Sequence, residues 1–280
     1  MSAEHIWPAW MVELFPKGKY SAGIKVDYQR QEVLDKSWTM NDVTHKAKVV
    51  CKPCNNGWMS TIEDAARPIL VPLIEKPLGK RPLNIYAQSV LANWAALHAM
   101  VFDRVRNPDS SYFSVEERQA FANSSKMRKP ISHTHVWVAL LPDMGGMGTR
   151  AGIHSRGSSD NEWRYSFFNC VFSRIIIQVF HWSGFTTNWI KSEDSGKAID
   201  LRKLDDPIWQ FATIKVWPRK SPLKWPPKQS LTHDGMNPFY NRFFIPMMNK
   251  SIGSPYRSAA TGQRVATTAE NLSGNGFFAR

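Results

Sequence analysis

The strongest regular pattern of apolar positions lies between Leu83 and Arg106. Val90, Trp94, Leu97 and Val101 recur at spacings of four, three and four, which lines one face of a helix. Leu91, Ala95, His98 and Phe102 lie beside them, so the predicted helix is buried on most sides. His98 then reads as a core or boundary histidine, not a ligand. Asn107-Pro108-Asp109 stops the helix. Ser114-Val115-Glu116-Glu117 reads as a capping box starting a second helix that runs to about Lys126.

After Pro130 the period changes from helical to alternating. Thr134 to Leu141, Trp163 to Phe172 and Ile175 to Trp182 read as strands, with turns at Asp143-Met144-Gly145-Gly146 and Ser155 to Asn161. An antiparallel sheet follows most simply. His133, His135, His154 and His181 scatter over it without metal-site spacing, and are expected on the sheet surface.

Upstream the pattern is weaker. Residues from Pro16 to Lys48 are polar and suggest loops around a short strand at Gly23 to Tyr28, and Lys46 to Val50 is a second strand candidate. From Asn55 a helix is expected, with Ile62, Ala65 and Ala66 at helical spacing. Pro68 should break or kink it, leaving Ile69 to Ile74 as a short second helix. Pro77, Gly79 and Pro82, kept wet by Lys76, Lys80 and Arg81, mark a boundary.

The 280-residue chain is long enough for a sizeable core, and 42% hydrophobic residues with 12 Trp argue for a packed protein. A formal charge of +13 favours a polyanionic partner, and nucleic acid is the commonest. Part of that charge sits between Pro207 and Arg257, where Lys215, Arg219, Lys220, Lys224, Lys228, Arg242, Lys250 and Arg257 face one acid, Asp234. Aromatics from Trp209 to Tyr256 are interleaved with them, and Pro218, Pro222, Pro226 and Pro227 favour an extended strap. The strap is either a phosphate-contacting and stacking surface or a segment whose aromatics plug the core while its lysines are solvated. Ser251 to Arg280 reads as a flexible tail. Three cysteines, an odd number, without a signal peptide point to a reducing, cytoplasmic setting. The longest apolar stretch, Val90 to Phe102, is too short for a membrane span.

Two stretches carry chemistry. Val49-Val50-Cys51-Lys52-Pro53-Cys54-Asn55-Asn56-Gly57-Trp58-Met59-Ser60 runs from a strand through a Cys-x-x-Cys turn into a helix. Such a pair is a zinc clip, a redox pair or chance. Glu4-His5-Ile6-Trp7-Pro8-Ala9-Trp10 precedes it. In that order the two stretches resemble the HNH endonucleases, of the ββα-metal or His-Me finger class, in the phage and bacterial branch carrying Cys-Asn-Asn-Gly-Trp. The resemblance covers Glu4 to Glu63. A looser one extends to Gln88 to Trp94, Trp217-Pro218 and Trp225-Pro226-Pro227.

The resemblance implies His5 as general base and Glu4 and Asn55 as ligands of a catalytic Mg²⁺ or Mn²⁺, with Asn56 the alternative to Asn55. It implies Cys51 and Cys54 as two of the four ligands of a structural Zn²⁺. Adjacent strand residues point to opposite faces, so Glu4 and His5 act together only where the strand bends or ends. A strand end just before Ile6-Trp7-Pro8 satisfies that. The chain departs from the family pattern in three places, one being that only three residues precede Glu4, so the first strand is expected to be short. Lys46, Ala47 and Lys48 occupy the neighbourhood of the motif's middle Asn, with Asn41 or His45 as substitutes, and there is no second Cys-x-x-Cys upstream.

The expected architecture is α+β: an HNH-like ββα-metal finger over residues 1–79, an α+β domain of helices then antiparallel sheet over 80–230, and a basic, aromatic segment with a flexible tail over 231–280. The implied activity is metal-dependent hydrolysis of phosphodiester bonds in double-stranded DNA. The alternatives are a non-catalytic nucleic-acid-binding protein with a degenerate HNH finger, and an interaction protein that keeps the finger only for folding.

Overall fold

The computed structural model describes residues 2–5, 7–15, 20–27, 32–40, 46–106, 111–125, 129–142, 147–156, 163–183, 189–191, 198–200, 212–218, 221–232, 235 and 239. For 2–5, 12, 20–27, 32–40, 46, 47, 106, 125, 148–156, 163, 164, 189–191 and 198–200 it describes the backbone only. The chain mixes helix and sheet, and every strand pairing described is antiparallel.

The N-terminal part comprises β1 (Ser2–His5), a short helix α1 (Ala9–Val12), β2 (Tyr20–Asp27), β3 (Glu32–Met40) and β4 (Lys46–Val50). β2 and β3 pair with each other. β2 corresponds to the strand expected at Gly23 to Tyr28, with Tyr20, Ala22, Ile24 and Val26 alternating with Ser21, Gly23, Lys25 and Asp27. The expectation of loops after it is corrected: Asp35, Lys36 and Ser37 in a row interrupt the alternation in β3, so sequence patterning passes over that strand.

After the short helix α2 (Lys52–Cys54) and a π-turn (Asn55–Met59), α3 runs unbroken over Ser60–Glu75 with Pro68 and Pro72 inside it. The expected break at Pro68 does not occur. A proline withdraws its own donor and crowds the preceding turn, but Ile62, Ala66, Leu70, Leu73 and Ile74 bury one face of α3 and hold the helix across it.

β5 (Arg81–Leu83) leads into α4 (Ile85–Arg106), whose first turn is capped by Asn84 Oδ1 accepting from Ala87 N at 2.8 Å. α4 is buried as its pattern predicts: residues 90–101 are buried without exception, and His98 lies among them. α5 (Val115–Ser125) begins with the capping box read from sequence: Ser114 N donates to Glu117 Oε2 at 2.8 Å, and Glu117 N donates to Ser114 Oγ at 3.1 Å. Near the end of α4 the buried Asp103 carboxylate accepts from Ser111 Oγ, Tyr112 N and Phe113 N, which ties the approach to α5 back onto α4.

The main sheet has five strands in the order β12-β6-β9-β8-β7, formed by β6 (Thr134–Leu140), β7 (Met147–Arg156), β8 (Trp163–Phe172), β9 (Ile175–Ser183) and β12 (Thr213–Trp217). Between β9 and β12 lie β10 (Trp189–Lys191) and β11 (Ala198–Asp200), which pair with each other. β13 (Leu223–Trp225) pairs with β5.

One sheet face, with Val136, Val138, Leu140, Phe168, Cys170, Phe172, Ile177 and Val179, joins α3, α4 and Trp7 in one hydrophobic cluster. The opposite face is also buried: Ala139, Val171 and Ile176 pack with Ala212, Leu231 and Phe239. This corrects the expected placement of the sheet histidines. His135 and His181 are buried because both faces are covered, while His133 is exposed in the turn before β6 and the His154 side chain lies outside the described residues. Burial is the largest cause that lowers the His135 pKa, to about 3, and Lys215, His133 and His181 add to it.

Candidate metal and nucleic-acid site

β1 and β4 form a two-stranded antiparallel pair in which Glu4 faces Ala47 and His5 faces Lys46. The register shifts between Ser2 and Glu4, and the strand's last residue is His5. Both features relax the strict alternation that would send Glu4 and His5 to opposite sides. Their side chains lie outside the described residues, as do Asn41 and His45.

The anchor of this strand is Trp7, two residues on. Its ring lies 4.9 Å from His98 and 6.1 Å from Trp94, both near-parallel, with Phe102 at 5.0 Å and Phe172 edge-on at 5.4 Å. Trp10 and Met11 are buried in the same cluster. The motif leaves position 7 open, so the packing role of Trp7 is not legible in it; the signal in the sequence is the apolar pair Ile6-Trp7 directly after the polar Glu4-His5.

β4 delivers the chain to Cys51, which caps α2: its Sγ accepts from Cys54 N at 3.1 Å, and Asn55 N donates to Cys51 O at 3.0 Å. Cys51 and Cys54 are joined as a disulfide, with Cα atoms 5.2 Å apart. The turn is exposed at Cys51, Lys52 and Pro53 and half-buried at Cys54 and Asn55. Asn55 Nδ2 donates to Asn56 Oδ1 at 3.3 Å, which orients the Asn55 carboxamide, while Asn56 is the more exposed of the two.

Gly57 leaves helical geometry at φ −108°, ψ −112° within the π-turn. Beyond it Met59 is buried and Trp58 meets Phe121 edge-on at 5.8 Å. The second motif is thus fixed by its own apolar residues, as the first is by Trp7.

Among the described residues no three His, Cys, Asp or Glu side chains gather into a metal-binding group. The donor that the described site offers is Asn55, since Cys51 and Cys54 become thiolate donors only once their disulfide is reduced. An amide oxygen is a hard donor suited to Mg²⁺ or Mn²⁺, whereas thiolates suit zinc.

In the basic strap, the aromatics that are described pack inward. Trp225 and Phe239 are buried and Trp217 is half-buried, while Lys224 and Lys228 are exposed. Lys215 is an exception: it is buried, with Nζ 5.4 Å from the centre of the Trp137 ring. Arg219, Lys220, Arg242, Lys250 and Arg257 lie outside the described residues, as does the expected C-terminal tail. No described helix is long and apolar enough to cross a membrane. No family model, curated protein or solved structure matches the chain.

Proposed function

We propose that the chain is a metal-dependent HNH-type endonuclease that hydrolyses phosphodiester bonds of double-stranded DNA in the cytoplasm, through an N-terminal ββα-metal finger. One observation carries the reading. The two motifs that bear the resemblance lie about 50 residues apart in sequence, yet their strands pair, and Trp7 and Met59 from the two enter one core.

In this reading His5 takes a proton from the attacking water at a ring nitrogen, a role suited to a histidine of ordinary pKa near ~6.5. The Glu4 carboxylate and the Asn55 amide oxygen would hold one Mg²⁺ or Mn²⁺, with Asn56 as the alternative amide. When bound, such an ion offsets charge on the phosphate and the departing oxygen. The exposed turn at Cys51–Pro53 leaves room for a duplex to approach.

A second reading, a non-catalytic nucleic-acid-binding protein on a degenerate finger, draws support from Lys46, Ala47 and Lys48 standing where the motif's middle Asn is expected. Supercoiled plasmid incubated with Mg²⁺ or Mn²⁺ separates the two. Nicking supports the nuclease, and a salt-dependent gel shift without nicking supports the binder.

A further inference from the structure

We propose that the β5–β13 ribbon is a duplex-DNA contact ledge, built from two basic segments roughly 140 residues apart in sequence. The inference rests on the DNA-binding part of the reading above and does not require cleavage.

Leu223 faces Leu83, Lys224 faces Pro82 and Trp225 faces Arg81. Leu83 and Trp225 point into the core, and Pro82 and Lys224 form the exposed side. Lys80, two residues before Pro82, is exposed too, and a diagonal cross-strand neighbour lies about 7–8 Å away. Lys76 and Lys228 are exposed too, and in the antiparallel register both lie beyond the Arg81–Trp225 end of the ribbon, the same end as Lys80.

Residues 76–89 and 221–232 contain five cations and no acid; Glu75 and Asp234 lie just outside. Arg81 works locally, its guanidinium donating to Lys76 O and Gly79 O at 3.3 Å, which leaves four lysines to face a partner.

Two further features distinguish this face from an ordinary solvated one. It is held rigidly. Trp225 Nε1 donates to Pro77 O at 2.8 Å, and the buried Gln88 Nε2 donates to both Leu83 O and Ser221 O, at 2.8 and 2.9 Å. It also keeps apolar surface in water: Leu78 is 56% exposed, and Ile85 and Tyr86 are each 49% exposed. Of these, Leu78 lies between Lys76 and Lys80 in the chain, and Ile85 and Tyr86 begin α4 just past the other end of β5. Four lysines gathered toward one end of a fixed ribbon, with no acid in either segment, suit the closely spaced phosphates of a duplex. The ledge sits at the far end of α3 from Asn55, a 16-residue helix of about 24 Å, the length of about seven base pairs.

The test is equilibrium binding of a random-sequence duplex in EDTA over a salt series. Three proteins are compared: wild type, Lys76→Glu/Lys80→Glu and Lys224→Glu/Lys228→Glu, each checked by thermal melt for folding. Both pairs should weaken binding and flatten the slope of log K against log salt, by up to about two per pair at roughly 0.9 per lost phosphate contact. An unchanged slope in either folded variant overturns the ledge, as does a wild type that fails to bind duplex. A loss seen only on anionic lipid vesicles overturns it as well. A protein that binds through the ledge but never nicks plasmid leaves this inference standing and removes the nuclease reading alone.

Discussion

At the residue scale, His135 shows how burial redirects a side chain that sequence pattern leaves ambiguous. It stacks on Trp137 at 5.6 Å and meets Trp182 at a tilt at 4.9 Å, and its Nδ1 has no hydrogen-bond partner among the described residues. With its pKa lowered to about 3, folded His135 stays neutral while the unfolded chain takes up a proton near pH 6.5. Its neutral form thus contributes fully above about pH 6.5, and that contribution is lost as pH falls toward 3, at up to about 1.4 kcal/mol per unit. His135→Phe keeps the stack and removes the titration. Its urea midpoint should fall less than the wild type's between pH 7 and pH 4; parallel curves would refute the assignment. Asn55 supports a second prediction. Asn55→Ala should raise the Mg²⁺ concentration needed for nicking, and excess metal should recover part of the loss, whereas Glu4→Ala, lacking a charged ligand, should recover less. A metal titration that leaves both variants superimposed on wild type would remove them from the ligand set.

At the element scale, local signals were legible wherever they were local in origin. The capping box of α5 was readable because Ser114 and Glu117 lie three residues apart and satisfy each other. Ser114→Ala should cost about 1 kcal/mol in denaturant unfolding, and no loss would mean that the helix start is held by Asp103 and its neighbours instead. α4 was readable from its period, to within two residues at its start. β2 was readable from its alternation, but β3, its pairing with β2 and the continuity of α3 were not. β3 is interrupted by Asp35, Lys36 and Ser37 in a row, and α3 depends on its buried face, which a proline rule cannot see. β13 was hidden for a related reason: its three residues sit among prolines, and its partner β5 is roughly 140 residues away.

At the scale of the whole molecule, the two motifs were legible as residue types in order. That β1 and β4 pair, and that Trp7 reaches Trp94, His98 and Phe172, were not, because such contacts depend on the folded core. The same limit applies to the thiol pair. Cys51 and Cys54 are joined as a disulfide, and even when reduced they supply two sulfurs where a structural zinc normally takes four ligands, so purified protein should hold zinc weakly or not at all. Metal analysis finding one tightly held zinc per chain would overturn this. The central claim is tested most directly by the nicking rate of supercoiled plasmid in Mg²⁺, measured for wild type and His5→Ala alongside their DNA affinities. Removing a general base leaves the metal ligands and the binding surface in place. The account predicts nicking by wild type, a loss of about 10²–10⁴-fold in rate for His5→Ala, and nearly unchanged affinity. Equal rates for the two proteins, or no nicking by wild type in Mg²⁺ or in a parallel run with Mn²⁺, would contradict it.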